Sequence, residues 1–392
     1  MKKVLLVGCG AEIGATLLSM NDPKRDGFAI TAILTHTISG DPKHPQLKPL
    51  DSLYARIVLA QPHMLDKIIM DYEKDALILS GFTVKIFWGN SHDFDLNQFK
   101  EKFDVCIFAT SKKEIGEDKI IKRFETIAKY VIGVSEAKQI PALYANLIDL
   151  PERFLPNPPQ PAKREKTFCV GSCQSNGWHG PLRALLELAE ESKFKTFEIL
   201  GMEVDIIHPD TPTGRLGTKS IEARNQDPRD NFRPSFSQVE MSMKILFPSA
   251  NNINTISLRT LTQPPGYQIT RFFFRYTISG KNRLTRDAVV QSFDRTAQRF
   301  PDTLRMAHIP LGSRGFEMSE SSAIVLASER FLRFYDDPFK TAQQGSVPVS
   351  ELIVQAYVHN VRGYCRSVLN LASYLSSGKQ PKIFQSSTVK EE

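Results

Sequence analysis

No stretch of this chain is apolar for long enough to cross a bilayer, and no basic block with interleaved aromatics occurs in it, which counts against a membrane span and a dedicated nucleic-acid surface. Cysteine is scarce. Cys9, Cys106, Cys169, Cys173 and Cys365 are an odd, dispersed set of five without zinc-type spacing, which fits a reducing compartment; Cys169 reads as a buried strand residue, with a Cys169–Cys173 bridge under oxidation the alternative. The amino-terminal Met-Lys-Lys-Val-Leu-Leu-Val-Gly opens like a secretory signal but breaks at once into glycines and Glu12, so a cytoplasmic protein is expected. With 41% hydrophobic and 24% charged residues, neither disorder nor a fibrous repeat is indicated. At 392 residues, two domains with filled cores are expected. The net charge of +7 is scattered among acids, which makes it a weak nucleic-acid signal and serves small anionic substrates or an acidic carrier equally well.

The residue that stands out is Cys173, in Val170-Gly-Ser-Cys-Gln-Ser-Asn-Gly177, where a β-like stretch gives way to a helix carrying Leu182, Leu185, Leu186 and Ala189. A cysteine in the first turn of a helix faces unpaired backbone N–H groups and the positive end of the helix dipole, and both favour thiolate. Its own N–H is placed to stabilise an acyl oxygen. Phe197 to His208 reads as a buried strand that delivers His208 to a loop, where imidazole can act as base for the thiol. The other reading of Cys173 is a buried structural cysteine, and of His208 a hydrogen-bonded core histidine.

The amino-terminal third alternates strands and helices, the pattern of a doubly wound parallel sheet. Lys3 to Val7 is a strand, Gly8-Cys-Gly-Ala-Glu-Ile-Gly14 a glycine turn, and Ala15 to Met20 a helix. Strands follow at Phe28–Leu34, Thr83–Phe87, Phe103–Ala109 and Tyr130–Gly133, with helices expected over Pro62–Lys74 and Glu117–Lys129. Glycines at such a strand-to-helix turn let backbone approach a pyrophosphate, which makes Gly8, Gly10, Glu12, Ile13 and Gly14 candidate cofactor residues. The second strand ends in Thr35 and His36, with no carboxylate to bind ribose hydroxyls and repel a 2′-phosphate, so NADP is favoured and NAD remains the alternative.

Pro151 to Pro161 is too proline-rich for a helix or central strand and reads as a connector. Pro209 to Pro234 is a long polar stretch whose Arg215, Arg224, Arg229 and Arg233 either line an anion site or pair with Asp227 and Asp230. Beyond it, strands at Asn254–Arg259, Gln268–Ser279, Ala323–Ala327, Phe331–Tyr335 and Glu351–Tyr357, with a helix over Leu284–Phe300, indicate an α+β domain on a mixed or antiparallel sheet. Trp178, close behind the cysteine, reads as a core aromatic or as a bulky wall of the pocket.

In their joint order these parts resemble the glyceraldehyde-3-phosphate dehydrogenase family. Ser172-Cys-Gln-Ser-Asn176 looks like that family's Ser-Cys-Thr-Thr-Asn motif, Gly201 to Thr211 like the strand bearing its histidine, and His359-Asn-Val-Arg-Gly-Tyr364 like its Asn-Glu-Phe-Gly-Tyr signature. The likeness extends to Asp75–Phe87 and to Ala109-Thr110, and so covers most of the chain. It implies a Rossmann domain at 1–171, completed by a carboxyl-terminal helix within 358–392, and a catalytic domain at 172–357. By resemblance Cys173 attacks an aldehyde or acyl carbon and His208 is its base. Ala109 and Thr110 join the cofactor site, Asn360 holds the nicotinamide carboxamide with Tyr364 beside it, and Ser172, Gln174, Thr211 and Arg259 grip the substrate.

The implied activity is an NAD(P)-dependent interconversion of an anionic aldehyde, phosphorylated or carboxylated, and an activated acid, in a homo-oligomer such as a tetramer or dimer. Two departures leave the acyl acceptor open: Gln174 replaces the family's threonine, and Ser235–Val239 lacks its Thr-Gly pair. An aspartate-semialdehyde or N-acyl-glutamyl-phosphate type reductase shares the architecture. A catalytically silent relative acting as a binding or scaffold protein is the reading from another class.

Overall fold

The computed structural model describes residues 1–36, 46–135, 137, 139–150, 152–157, 165–209, 233–235, 237–260, 262–278, 283–338 and 348–377. The chain forms two compact units, one of Met1–Ala145, Pro161–Gly171 and Cys365–Glu392, the other of Asn146–Gln160 and Ser172–Tyr364. No helix among the described residues is long and apolar enough to cross a membrane.

The first unit runs β1 (Lys2–Val7), α1 (Glu12–Met20), α2 (Pro23–Asp26), β2 (Phe28–Thr35), α3 (Pro49–Ala60), β3 (Ile68–Asp71), β4 (Ala76–Leu79), β5 (Phe82–Trp88), β6 (Phe103–Phe108), α4 (Lys112–Ile115), α5 (Asp118–Phe124), β7 (Ala128–Gly133) and β8 (Thr167–Cys169). Its eight strands lie in the order β3-β4-β5-β2-β1-β6-β7-β8. From β5 to β8 all neighbours are parallel, and the β3-β4 hairpin adds an antiparallel edge. The central strands are predominantly apolar, with Val4, Leu5 and Leu6 fully buried, as strands covered on both faces must be. Because β1 is flanked by β2 on one side and β6 on the other, the winding reverses at its carboxyl end, where Gly8 begins the turn into α1.

Two expected helices are corrected here. Pro62–Lys74 holds only a single 3-10 turn, Pro62–Met64, and then β3, while the helix of this region is α3. The β-branched pair Ile68-Ile69 pairs with Leu79 and Ile78 across a hairpin, closed by Asp75 at φ 47° and by the Lys74 amide donating to Asp71 Oδ1 at 3.1 Å. The sheet edge thus outweighs a weak helical periodicity. Helix α5 ends at Phe124, and Ala128 already belongs to β7.

The second unit runs α6 (Cys173–Glu191), β9 (Phe194–Pro209), β10 (Arg233–Ser235), α7 (Val239–Leu246), β11 (Asn252–Thr260), β12 (Gly266–Ile278), α8 (Arg286–Arg299), β13 (Leu304–Ala307), β14 (Ala323–Leu326), β15 (Leu332–Tyr335) and β16 (Val349–Val358). Its sheet is mixed, in the order β10-β11-β9-β12-β16-β14-β13 with β15 also on β16; β9 and β11 are parallel, as are β13 and β14, and the other pairs antiparallel. Residues 146–150 belong to this unit because buried Arg183 of α6 donates to the carbonyls of Asn146 at 2.8 Å and Ile148 at 3.1 Å. Trp178 is fully buried, a core aromatic.

The last helix, α9 (Arg362–Ser377), passes from the second unit to the first at Cys365. Arg366 then donates to Asp26 Oδ1 at 2.8 Å and to the Met20 carbonyl at 3.2 Å, both partners of the ion pair being almost wholly buried. These contacts tie the helix to the α1–α2 corner, where losing one partner would leave the other charge buried and uncompensated.

Candidate active site

One end of the second sheet collects four of the candidate residues. His208 is the penultimate residue of β9 and so lies within the ladder and not in the loop expected for it, and the parallel register sets Arg259 of β11 directly opposite it. Strand β12 starts there at Gly266, paired with Val358 of β16, two residues before Asn360. Helix α6 lies over this sheet closely enough that a Cβ on Gly177 would come within 2.4 Å of a Val358 methyl, and its first residue is Cys173.

The helix start is well defined. Ser172 is the N-cap, its Oγ accepting from the Ser175 amide at 3.1 Å, which satisfies one of the free N–H groups of the first turn. Ser175 Oγ in turn lies 2.8 Å from Ser172 Oγ and accepts from Ser242 Oγ of α7 at 3.0 Å. Cys173 is the one cysteine of five that is not buried. Burial pushes the Cys9 thiol up to about 12 and the Cys106 thiol well above its ordinary value, so those two stay protonated.

Cys173 Sγ lies 3.8 Å from His208 Nε2. On the other side of the ring, Nδ1 contacts the Pro209 carbonyl oxygen and lies 3.3 Å from Arg259 Nη1. A carbonyl can only accept, so the closer Pro209 contact favours a proton on Nδ1, with the Arg259 guanidinium standing beside that nitrogen as a charge and not as its donor, and with the Nε2 lone pair toward the sulfur. The pair is therefore arranged for transfer of the thiol proton to the imidazole. The Asn360 amide completes the cluster, with Nδ2 at 3.6 Å from Cys173 Sγ and 3.4 Å from His208 Nε2.

Other candidates lie differently. Gln174 is buried, and Gln268 Nε2 donates both to its Oε1 at 2.6 Å and to its carbonyl at 2.8 Å, so its carboxamide is engaged with β12. Tyr364 is buried in the first turn of α9, its amide donating to the His359 carbonyl at 3.1 Å. Thr211 and the arginines Arg215, Arg224 and Arg229 lie outside the described residues.

A separate cleft of about 450 Å³ opens in the first unit, lined by Gly8, Gly10, Thr35, His36, Ala109 and Thr110 among the expected residues and by Arg56, Ser111 and Glu114 besides. Glu12, Ile13 and Gly14 are not part of this lining. Gly14 serves packing instead, because a Cβ there would come within 2.2 Å of the Gly8 carbonyl oxygen, and glycine lets α1 close on the turn. Gly8, at φ 87°, has the Thr110 methyl and Ala109 carbonyl 2.8 and 2.9 Å from where a Cβ would stand. Glycine thus lets the turn pack closely against the end of β6 while its backbone lines the cleft.

Arg56 was not legible as a site residue, because it reaches the cleft from α3, where its guanidinium lies 3.3 Å from the Cβ position of Gly10. It makes no hydrogen bond or ion pair among the described residues, whereas Glu114 accepts from Ser91 Oγ at 2.7 Å. No protein-family model matches the chain, and no curated protein matches it.

Proposed function

We propose that this chain is an NAD(P)-dependent oxidoreductase that interconverts an anionic aldehyde and an activated acid through a thioester on Cys173. The observation that carries the reading is the 3.8 Å approach of Cys173 Sγ to His208 Nε2 at the amino terminus of α6. In this reading the first unit is a Rossmann domain and the second a catalytic domain like that of the glyceraldehyde-3-phosphate dehydrogenase family. The intact sulfur–imidazole pair favours an enzyme over a silent scaffold.

In the oxidative direction the Cys173 proton passes to His208, the sulfur forms a C–S bond to the aldehyde carbon as the carbonyl π pair moves to oxygen, and the imidazolium returns its proton to that oxygen, which leaves the thiohemiacetal beside a neutral His208. His208 then takes the hydroxyl proton of the thiohemiacetal as it is oxidised to the thioester. A nicotinamide dinucleotide, when bound, supplies the hydride acceptor for this step and the donor for its reverse. Base assistance by the imidazole is worth roughly 10²–10⁴-fold in rate, and the Cys173 amide at the helix start is placed to hold the acyl oxygen.

Gly8 and Gly10 would carry the pyrophosphate, with Thr35, His36 and Arg56 at the adenosine ribose. The absence of a carboxylate at the end of β2, together with a guanidinium lining the same cleft, favours NADP. Arg259, beside the imidazole and buried, supplies the positive charge that suits an anionic substrate.

The test is a screen of NADP and NAD reduction against phosphorylated and carboxylated aldehydes, with and without phosphate, arsenate or coenzyme A. Turnover that disappears in Cys173→Ser and falls at least a hundredfold in His208→Asn supports the reading. Turnover unchanged in both variants would reject it.

A further inference from the structure

We infer that Asn360 is a third catalytic group, whose amide donates to the Cys173 sulfur and stabilises it as an anion. The assignment rests on the Cys173–His208 reading and adds to it a residue that the family resemblance gives to the cofactor instead.

The orientation of the amide is fixed from the opposite side. The Gly266 backbone N–H donates to Asn360 Oδ1 at 3.1 Å in a buried contact. Since a backbone N–H can only donate, the oxygen must lie toward Gly266 and the NH₂ group toward the sulfur and the imidazole. Gly266 itself cannot be exchanged freely, because a Cβ would stand 3.2 Å from Asn360 Oδ1, 2.8 Å from the Ile207 carbonyl and 2.7 Å from the Pro209 ring. The residue that aims Asn360 is thus pinned between the strand bearing His208 and the loop after β16.

The two hydrogens of Nδ2 face two acceptors, Sγ at 3.6 Å and Nε2 at 3.4 Å. While cysteine is a thiol, the imidazole lone pair is the better acceptor and the sulfur a weak one. When the S–H proton moves to Nε2, that nitrogen becomes a donor, the sulfur carries the negative charge, and it is the remaining acceptor for the amide. The hydrogen bond therefore strengthens only in the ion-pair state, which selects thiolate. Asn360 is only 9% exposed, so little water competes for the contact.

The test is the pH dependence of Cys173 alkylation by iodoacetamide in the full-length protein without added cofactor, followed by peptide mass mapping. Asn360→Ala should move the midpoint of the profile up by about one pH unit, a roughly tenfold slower reaction at neutral pH. Asn360→Asp keeps the shape and the Gly266 bond while replacing the donor by a carboxylate, and should move it further; it serves where the alanine variant is poorly folded. Superimposable profiles for wild type and both variants, with Cys173 still the labelled residue, overturn the assignment of Asn360 alone. Wild-type protein that is not labelled at Cys173 overturns the nucleophile reading on which it rests.

Discussion

Gly177 of α6 and Val358 of β16 touch so closely that no side chain larger than hydrogen fits between them, a Cβ on the glycine falling 2.4 and 2.5 Å from the two valine methyls. This contact sets the height of the helix over the sheet one turn behind Cys173 and two residues ahead of Asn360. The distance between sulfur and amide is thus decided by packing rather than by the two polar groups themselves.

Gly177→Ala should therefore act on both stability and chemistry. Overpacking of this kind costs about 1–3 kcal/mol, read as a lower urea midpoint with unchanged slope. Alkylation of Cys173 should slow with it, because lifting the helix start draws Sγ away from its partners. A variant that unfolds earlier yet labels at the wild-type rate would show that the helix accommodates the methyl without moving its first turn.

Arg56→Ala should discriminate between the two dinucleotides. Removing a guanidinium that meets a phosphate weakens NADP(H) binding roughly tenfold, whereas NAD(H), which has no 2′-phosphate, should change less than about twofold by the same argument. Fluorescence titration of both reduced cofactors reads this. Equal weakening of the two would place the guanidinium at the shared pyrophosphate, and no change in either would remove it from the site.

His179, fully buried on α6, has its pKa lowered to about 3 by burial. The unfolded chain binds a proton there near the ordinary histidine value, and the native state does not until far lower pH. The stability that neutral His179 allows is therefore complete above pH ~6.5 and is lost progressively as pH falls toward ~3. Between pH 7 and 5 this linkage is worth about 2 kcal/mol. Urea titrations at the two pH values should show His179→Leu losing less stability than wild type by that amount. Identical losses would assign the acid sensitivity to other groups, His359 among them, whose pKa burial also lowers.

What was legible in the sequence was local. The apolar runs at Val4–Val7 and Val105–Phe108 marked central parallel strands, and the glycines at 8, 10 and 14 marked the turn between β1 and α1. Cys173 was visible through the run of small and polar residues that opens an apolar-periodic helix, and His208 through its place near the end of a strand. Met64, Ile68, Ile69 and Tyr72 misled because a spacing of three and four also fits a 3-10 turn followed by an edge hairpin, and only the pairing with β4 decides between them. Arg56, Gln268 and the orientation of Asn360 were not legible, since each is fixed by a contact far away in sequence: with the Gly10 turn, with Gln174, and with the Gly266 amide.

The central claim is that one sulfur carries the acyl group during redox chemistry. Its most direct test is intact-mass analysis of the protein mixed with NADP and the most active aldehyde of the screen, in the absence of phosphate and thiols. A single acyl adduct is predicted, mapped to Cys173, formed together with one equivalent of reduced cofactor and absent from Cys173→Ser. Reduced cofactor accumulating with no adduct, or equally in Cys173→Ser, would contradict it.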